Sequence, residues 1–127
     1  MTVPAFDRQF EPPAPVADVI LTHPVSSANS GVLRGKLDTG ADLSVIPEFL
    51  VLQLSLGVRS HIWVRSFDGS FSQRPVYYVR FRFEGHDLPP LRCIAADRRN
   101  VLVGRNVLNR FIIILDGKNL RFDLQPA

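Results

Sequence analysis

Cysteine, methionine and tryptophan each occur once in this 127-residue chain, and lysine and tyrosine only twice. A single cysteine, Cys93, excludes an internal disulfide and fits a reducing compartment, so a cytoplasmic protein is expected. Long hydrophobic runs are missing as well. The longest, Phe111 to Leu115, falls far short of the roughly 20 residues that a membrane-crossing helix needs, so no membrane association is expected. The N-terminal stretch MTVPAFDRQFEPPAPV lacks the basic-then-apolar layout of a secretory leader. The three histidines, His23, His61 and His86, are widely separated. Neither a zinc site nor a Ser-His-Asp arrangement can be read from them, and no metal or cofactor is expected. Internal repeats and low-complexity segments are absent too.

What is present is ordinary for a globular protein: 46% hydrophobic and 21% charged residues. The length fits one domain with a real core. The formal charge is +3, and 13 of the 15 basic residues are arginine, spread along the chain rather than clustered. In YYVRFRFEG, Arg80 and Arg82 alternate with Phe81 and Phe83, as a half-buried strand shows its solvent face. A solvated basic surface is therefore expected, and no nucleic-acid partner.

Prolines at 4, 12, 13 and 15 mark residues 1–15 as a flexible tail ahead of a domain spanning 16–124. VADVILTH (16–23) reads as a strand, SSANSG (26–31) as a turn, and VLRGKL (32–37) as a second strand ending at Asp38. PEFLVLQL (47–54) suits a short helix with Pro47 at its first position and Glu48 favourable at its start, although the run is too uniformly apolar for periodicity to decide. HIWVRS and FSQRPVYYVRFRF flank Phe67-Asp68-Gly69-Ser70, and Asp-Gly between strand-like runs signals a hairpin whose tip projects beyond the body. LPPLRCIAAD (88–97) and NVLVG (100–104) read as further strands, and RNVLNRF (105–111) has room for a turn or two of helix. FIIILD and LRFDL close the chain as a pair joined at Gly117-Lys118. Many short strands with closely spaced turns imply a small barrel or sandwich.

Asp38-Thr39-Gly40 poses the chemical question. By itself it is a good turn tripeptide, with Asp bonding nearby amides and Gly supplying positive φ. Its context is more specific. It follows a strand and precedes DLSVIP, apolar enough to return into the core. The Asp-Gly hairpin comes next, and then Leu102-Val103-Gly104-Arg105-Asn106. In this order the motifs resemble the retropepsin-like aspartic proteases, the single-domain relatives of pepsin that include retroviral and bacterial dimeric enzymes. The resemblance covers residues 16–124.

The resemblance implies a mainly β fold: a small closed barrel of the retropepsin (acid protease) type, with a flap hairpin and one or two short helices. It implies an aspartic endopeptidase acting as a homodimer on a peptide or protein substrate, cutting between apolar residues at mildly acidic pH. Each chain supplies one Asp38, which faces the partner's Asp38. Two carboxylates about 3 Å apart cannot both ionise, so they share a proton and serve as acid and base toward one water. By the same resemblance Thr39 bonds across the dimer axis, and Gly40 lets substrate backbone approach. Ala41 and Asp42 border the substrate. Asp42 forms a buried, bidentate ion pair with Arg105, while Gly104 and Asn106 support the loop from the C-terminal helix. Phe67, Asp68, Gly69 and Ser70 form the flap tip that closes over substrate.

Two features depart from the family pattern. The flap carries a single glycine, Gly69, between Phe67 and Phe71. Lys36 shares a strand face with Asp38, where an inward-pointing cation would depress the acid's pKa. Val45, Ile46, Phe67 and Phe71 are candidate pocket residues as well as candidate core, and Cys93 reads as an inert buried thiol. EPPAPV looks like a linker with self-cleavage candidates, as in a longer precursor, and LRFDLQPA is a candidate strand of a dimer sheet. The competing class is a catalytically silent module that keeps the fold for dimerisation or peptide binding. The intact Asp-Thr-Gly argues against it, because a scaffold has no need of a like-charge pair.

Overall fold

The structure, a computed structural model, describes residues 4–126. The described chain is mostly strand: β1 (Phe6–Asp7), β2 (Ala14–Thr22), β3 (Asn29–Leu37), β4 (Ser44–Pro47), β5 (Ser60–Arg65), β6 (Phe71–Phe83), β7 (His86–Ala96), β8 (Val101–Val103), β9 (Phe111–Asp116) and β10 (Arg121–Pro126). Two short helices interrupt it, α1 (Phe49–Gln53) and α2 (Arg105–Leu108). The main sheet runs β1-β2-β3-β8-β4-β7-β6-β5, and β2 also pairs with β6. That last pairing closes a ring through β2, β3, β8, β4, β7 and β6, which is the closed mainly β architecture expected. β9 and β10 form a separate antiparallel pair.

The ring forms because alternation along its strands gives one apolar face. Val19 and Leu21 of β2, Val79, Phe81 and Phe83 of β6, and Val101 and Val103 of β8 are all essentially buried. Burying side chains of this size stabilises by about 1.5–3 kcal/mol each. Between them on β6, Arg80 bonds the carbonyls of His23 and Ser26, and Arg82 pairs with Asp87 at 3.0 Å. Gly35 lies where β3 crosses the core: a Cβ there would meet Val19 at 2.6 Å and Val103 at 2.8 Å.

Two local expectations differ from what forms, and the expected hairpin is present. Residues 4–15, read as a tail, lie on the body. β1 pairs with the start of β2, and Phe122 N donates to Pro4 O (3.0 Å) while Phe6 N donates to Leu120 O (2.8 Å). The prolines do not prevent this, because Phe6 and Asp7 lie between them and supply the pairing groups. Residues 1–3 of that expected tail, and Ala127 at the end of LRFDLQPA, lie outside the described residues. Pro47 ends β4 instead of starting α1, because parallel pairing with β7 continues to Pro47↔Ala96 and Glu48 N then donates to Ala96 O. The hairpin loop has three residues, Phe67 to Gly69, closed by Ser66 N donating to Ser70 O at 2.7 Å. Gly69, at φ +88°, takes the left-handed position such a loop requires.

Candidate active site

β3 stops at Leu37, and the next amide, Asp38 N, donates to Val103 O of β8 at 2.9 Å. The parallel β3–β8 pairing therefore fixes where the acid's backbone lies. Beyond it the chain folds on itself: Gly40 N donates to Asp38 Oδ1 (2.9 Å) and Ala41 N to Asp38 O (3.3 Å). Gly40 was expected to supply positive φ and does not. Its lack of a Cβ serves close approach instead, since a Cβ would lie 3.2 Å from Asp38 Oδ1. Asp38 is half-buried, while Thr39 and Gly40 are exposed, so the tip of the loop opens outward.

α2 holds this loop from below. Arg105 N donates to Ala41 O and Arg105 Nη1 to Thr39 O, both at 2.9 Å, and Arg105 Nη2 contacts Asp42 Oδ1. The Asp42–Arg105 pair thus forms, but differently from expectation. The guanidinium divides its donors between one carboxylate oxygen and a backbone carbonyl, and both side chains are substantially exposed, 44% for Arg105 and 84% for Asp42. Gly104 packs so closely beneath the loop that a Cβ would sit 2.7 Å from Leu43 C and O.

A residue that the motif reading passed over ties these pieces together. Ser44 is fully buried, with its Oγ donating to Asn106 Oδ1 and accepting from Gly104 N, each at 3.0 Å. Ser44 N also donates to Asn106 Oδ1, and Asn106 Nδ2 donates to Arg92 O at 2.7 Å. Asp38 through Asp42 and Gly104 through Asn106 are therefore one hydrogen-bonded unit. No local signal marks Ser44, because its partners lie about sixty positions away and only the fold brings them together.

The cation expected beside Asp38 points elsewhere. Lys36 Nζ lies over the Phe10 ring, 4.9 Å from its centroid. Arg98, before β8, is half-buried with its Nε donating to Asn100 O at 2.7 Å. Burial lowers the pKa of its guanidinium, and the negative charge of Asp38 acts to raise it.

A cleft of about 330 Å³ opens between the 40–43 loop and β5, with Val45, Ile62, Val64 and Ile94 giving it an apolar lining. The hairpin tip lies elsewhere: none of Phe67, Asp68, Gly69 or Ser70 lines this cleft, and Phe67 is fully exposed. Asp68 accepts from Ser70 Oγ (2.7 Å) and Ser70 N (2.9 Å), which hold its carboxyl below the usual carboxylate range. Of the candidate pocket residues, Val45 faces the cleft, Ile46 is core, and Phe71 lies on the outer face of the hairpin beneath Arg65.

Residues 24–107 match the family model described as aspartyl protease. Among solved structures, the chain is similar to a retropepsin-like aspartic protease from Rickettsia conorii, with a TM-score of 0.69 at 15% identity, covering 99% of this chain and 90% of that one. It is similar to the simian foamy virus protease, with a TM-score of 0.55 at 16% identity, covering 74% of this chain and 91% of that one. EIAV protease in complex with the inhibitor HBY-793 matches with a TM-score of 0.53 at 22% identity, covering 76% and 86%. No curated protein sequence matches the chain.

Proposed function

Because this chain belongs to the aspartyl protease family and has a retropepsin-like fold, we propose that it is an aspartic endopeptidase working as a homodimer. Asp38 is the catalytic acid in this reading. The observation that supports it best is a half-buried carboxylate on a loop held by β8 and α2, whose next residues, Gly40 to Leu43, line an apolar cleft that Asp38 itself does not line, in a chain with one Asp-Thr-Gly.

Two copies bring two Asp38 carboxylates together, and close approach leaves one proton between them. The ionised member takes a proton from water while the water oxygen attacks the peptide carbonyl carbon, and the protonated member gives its proton to the carbonyl oxygen. Return of a proton to the amide nitrogen then lets the C–N bond break. Thr39 braces the loop against its counterpart, and Gly40 admits the substrate backbone. Ala41 and Asp42 border the bound peptide, and the Phe67–Ser70 tip, which lies outside the cleft in this structure, moves to cover it. The apolar lining at Val45, Ile62 and Ile94 favours apolar side chains beside the cut. Activity requires the singly protonated pair, so it falls once pH is high enough to ionise both acids.

The test is Asp38→Asn, assayed for cleavage of an unfolded protein between pH 3 and pH 8. Loss of at least ~100-fold in rate is the expected result, the scale on which a positioned acid–base group contributes. A variant as active as the parent overturns the proposal and favours the silent peptide-binding module. A statine-type mimic that binds at low pH and is released as pH rises gives the complementary readout.

A further inference from the structure

The hairpin of β5 and β6 has two unlike faces. Pairing sets Trp63 opposite Gln73 and Arg65 opposite Phe71, so these four side chains share one face. Ile62 and Val64 alternate with them, are less exposed and belong to the apolar lining of the cleft, which Trp63 and Arg65 also border. On the first face Trp63 is 68% exposed and Phe71 63%, and Arg65 lies over the Phe71 ring, 5.9 Å from its centroid. Two exposed aromatics on adjacent cross-strand sites form an apolar patch, and such patches mark interaction surfaces. The hairpin is also basic. From Arg59 to Val76 it holds three arginines, one histidine and a single carboxylate, Asp68. None of Arg59, Arg65 and Arg74 has a carboxylate within ion-pair distance among the described residues. Asp68 is engaged within its own loop, where it accepts from Ser70 Oγ and Ser70 N. A partner for this face must therefore bring negative charge and take in aromatic rings.

We propose that the face bearing Trp63, Arg65 and Phe71 docks on an anionic phospholipid surface. The two rings settle at headgroup depth, where one side meets acyl chain and the other meets water, and the guanidinium of Arg65 bonds lipid phosphates. No helix among the described residues is long and apolar enough to cross a membrane, and a face that only lies on a bilayer needs none. Two other occupants fit less well. A nucleic-acid strand needs several stacking platforms in succession, whereas Arg65 already covers Phe71 and leaves Trp63 alone. A rigid protein partner would fix a hairpin whose tip moves over the bound peptide, while a fluid bilayer moves with it. Only this last choice rests on the proposed function. The charge and the exposed rings stand without it.

Trp63 is the chain's one tryptophan, so its fluorescence reports on this face directly. The test mixes the protein with vesicles of phosphatidylcholine alone, or of phosphatidylcholine and phosphatidylglycerol in equal parts. With the anionic vesicles the emission is expected to shift to the blue and the protein to float with the lipid. With the neutral vesicles binding is at least ~10-fold weaker. Arg65→Glu, folded by circular dichroism, loses at least ~10-fold in binding to the anionic vesicles, and Arg65→Lys keeps it within ~3-fold. Arg110→Glu, an exposed charge reversal outside the hairpin, also stays within ~3-fold. An emission that anionic vesicles leave unchanged overturns the proposal. So does an equal loss in Arg65→Glu and Arg110→Glu, which would make net charge the cause. A single-stranded oligonucleotide that shifts the emission and displaces the protein from vesicles overturns it in favour of a nucleic-acid site. Asp38→Asn separates this proposal from the catalytic one. If that variant is inactive and the parent ignores anionic vesicles, only the lipid surface falls. If it is fully active and the parent binds them through Arg65, only the catalytic reading falls.

Discussion

Gly104 lies under the loop that carries Asp38, and the space above it is already filled by the Leu43 carbonyl. Backbone does not swing aside as a side-chain end does, so Gly104→Ala is expected to destabilise by roughly 1–3 kcal/mol in urea unfolding, the usual cost of overpacking. Gly57, with open space around its would-be Cβ, is the control, and Gly57→Ala stays within about 0.5 kcal/mol. Ser44 is the polar counterpart. Ser44→Ala strips Gly104 N and Asn106 Oδ1 of a buried partner, which costs about 1–3 kcal/mol. Cys93 makes a chemical prediction. Burial pushes its thiol up to about 12, so the folded protein keeps that proton while the unfolded chain releases it. The sign follows from linkage: this stability is fully present below the ordinary thiol value and is lost as pH rises from there toward about 12. At pH 8 a thiol reagent is expected to label Cys93 only after denaturant is added, and rapid labelling of the native chain would contradict its burial.

Between elements, the connection that matters most joins α2 to the 38–42 loop through a single side chain. Arg105 reaches Thr39 O and Asp42 together because its fork presents donors in two directions, which a lysine ammonium on one stem does not do. Arg105→Lys is expected to change stability by less than ~1 kcal/mol, since the pair is exposed. It is expected to lower kcat/KM by at least ~10-fold, because loosening the loop misplaces Asp38. Equal losses in both measurements would mean that Arg105 supports the fold and not the loop. This connection was half legible in the sequence. The family resemblance implies that Asp42 and Arg105 pair, whereas the Thr39 carbonyl is invisible until the backbone is traced. The same division holds elsewhere. The Phe81/Phe83 against Arg80/Arg82 alternation and the Asp68-Gly69 hairpin could be read directly, because period and turn chemistry are local. β1, β4, the Ser44–Asn106 bonds and the position of Arg98 could not, because long-range pairing decides them. Proline spacing made residues 4–15 look like free chain, although pairing with β2 and β10 overrides that local preference.

At the scale of the whole chain, a closed ring has no edges of its own, so the exposed edges fall to the strands outside it. The N-terminal segment deals with one of them. Its backbone bonds cover the start of β10, Phe6 packs at a tilt against Phe122 with ring centroids 6.5 Å apart, and Phe10 sits under Lys36. Deleting residues 1–10 therefore removes apolar cover from Phe122, only 1% exposed in the full chain, and is expected to cost roughly 2 kcal/mol or more. It also changes how copies associate. With β10 uncovered, both outer edges of the β9–β10 pair are open. Pairing through both is no longer closed by a twofold axis, so it continues as open-ended assembly. Sedimentation velocity of the truncated protein is expected to show species larger than a dimer that grow with concentration, together with a lowered Tm. A truncated protein that keeps the parent's mass and Tm would mean that the N-terminal segment rests on the fold without protecting it. The end of the chain that reads as a loose tail would then have no part in limiting how copies associate.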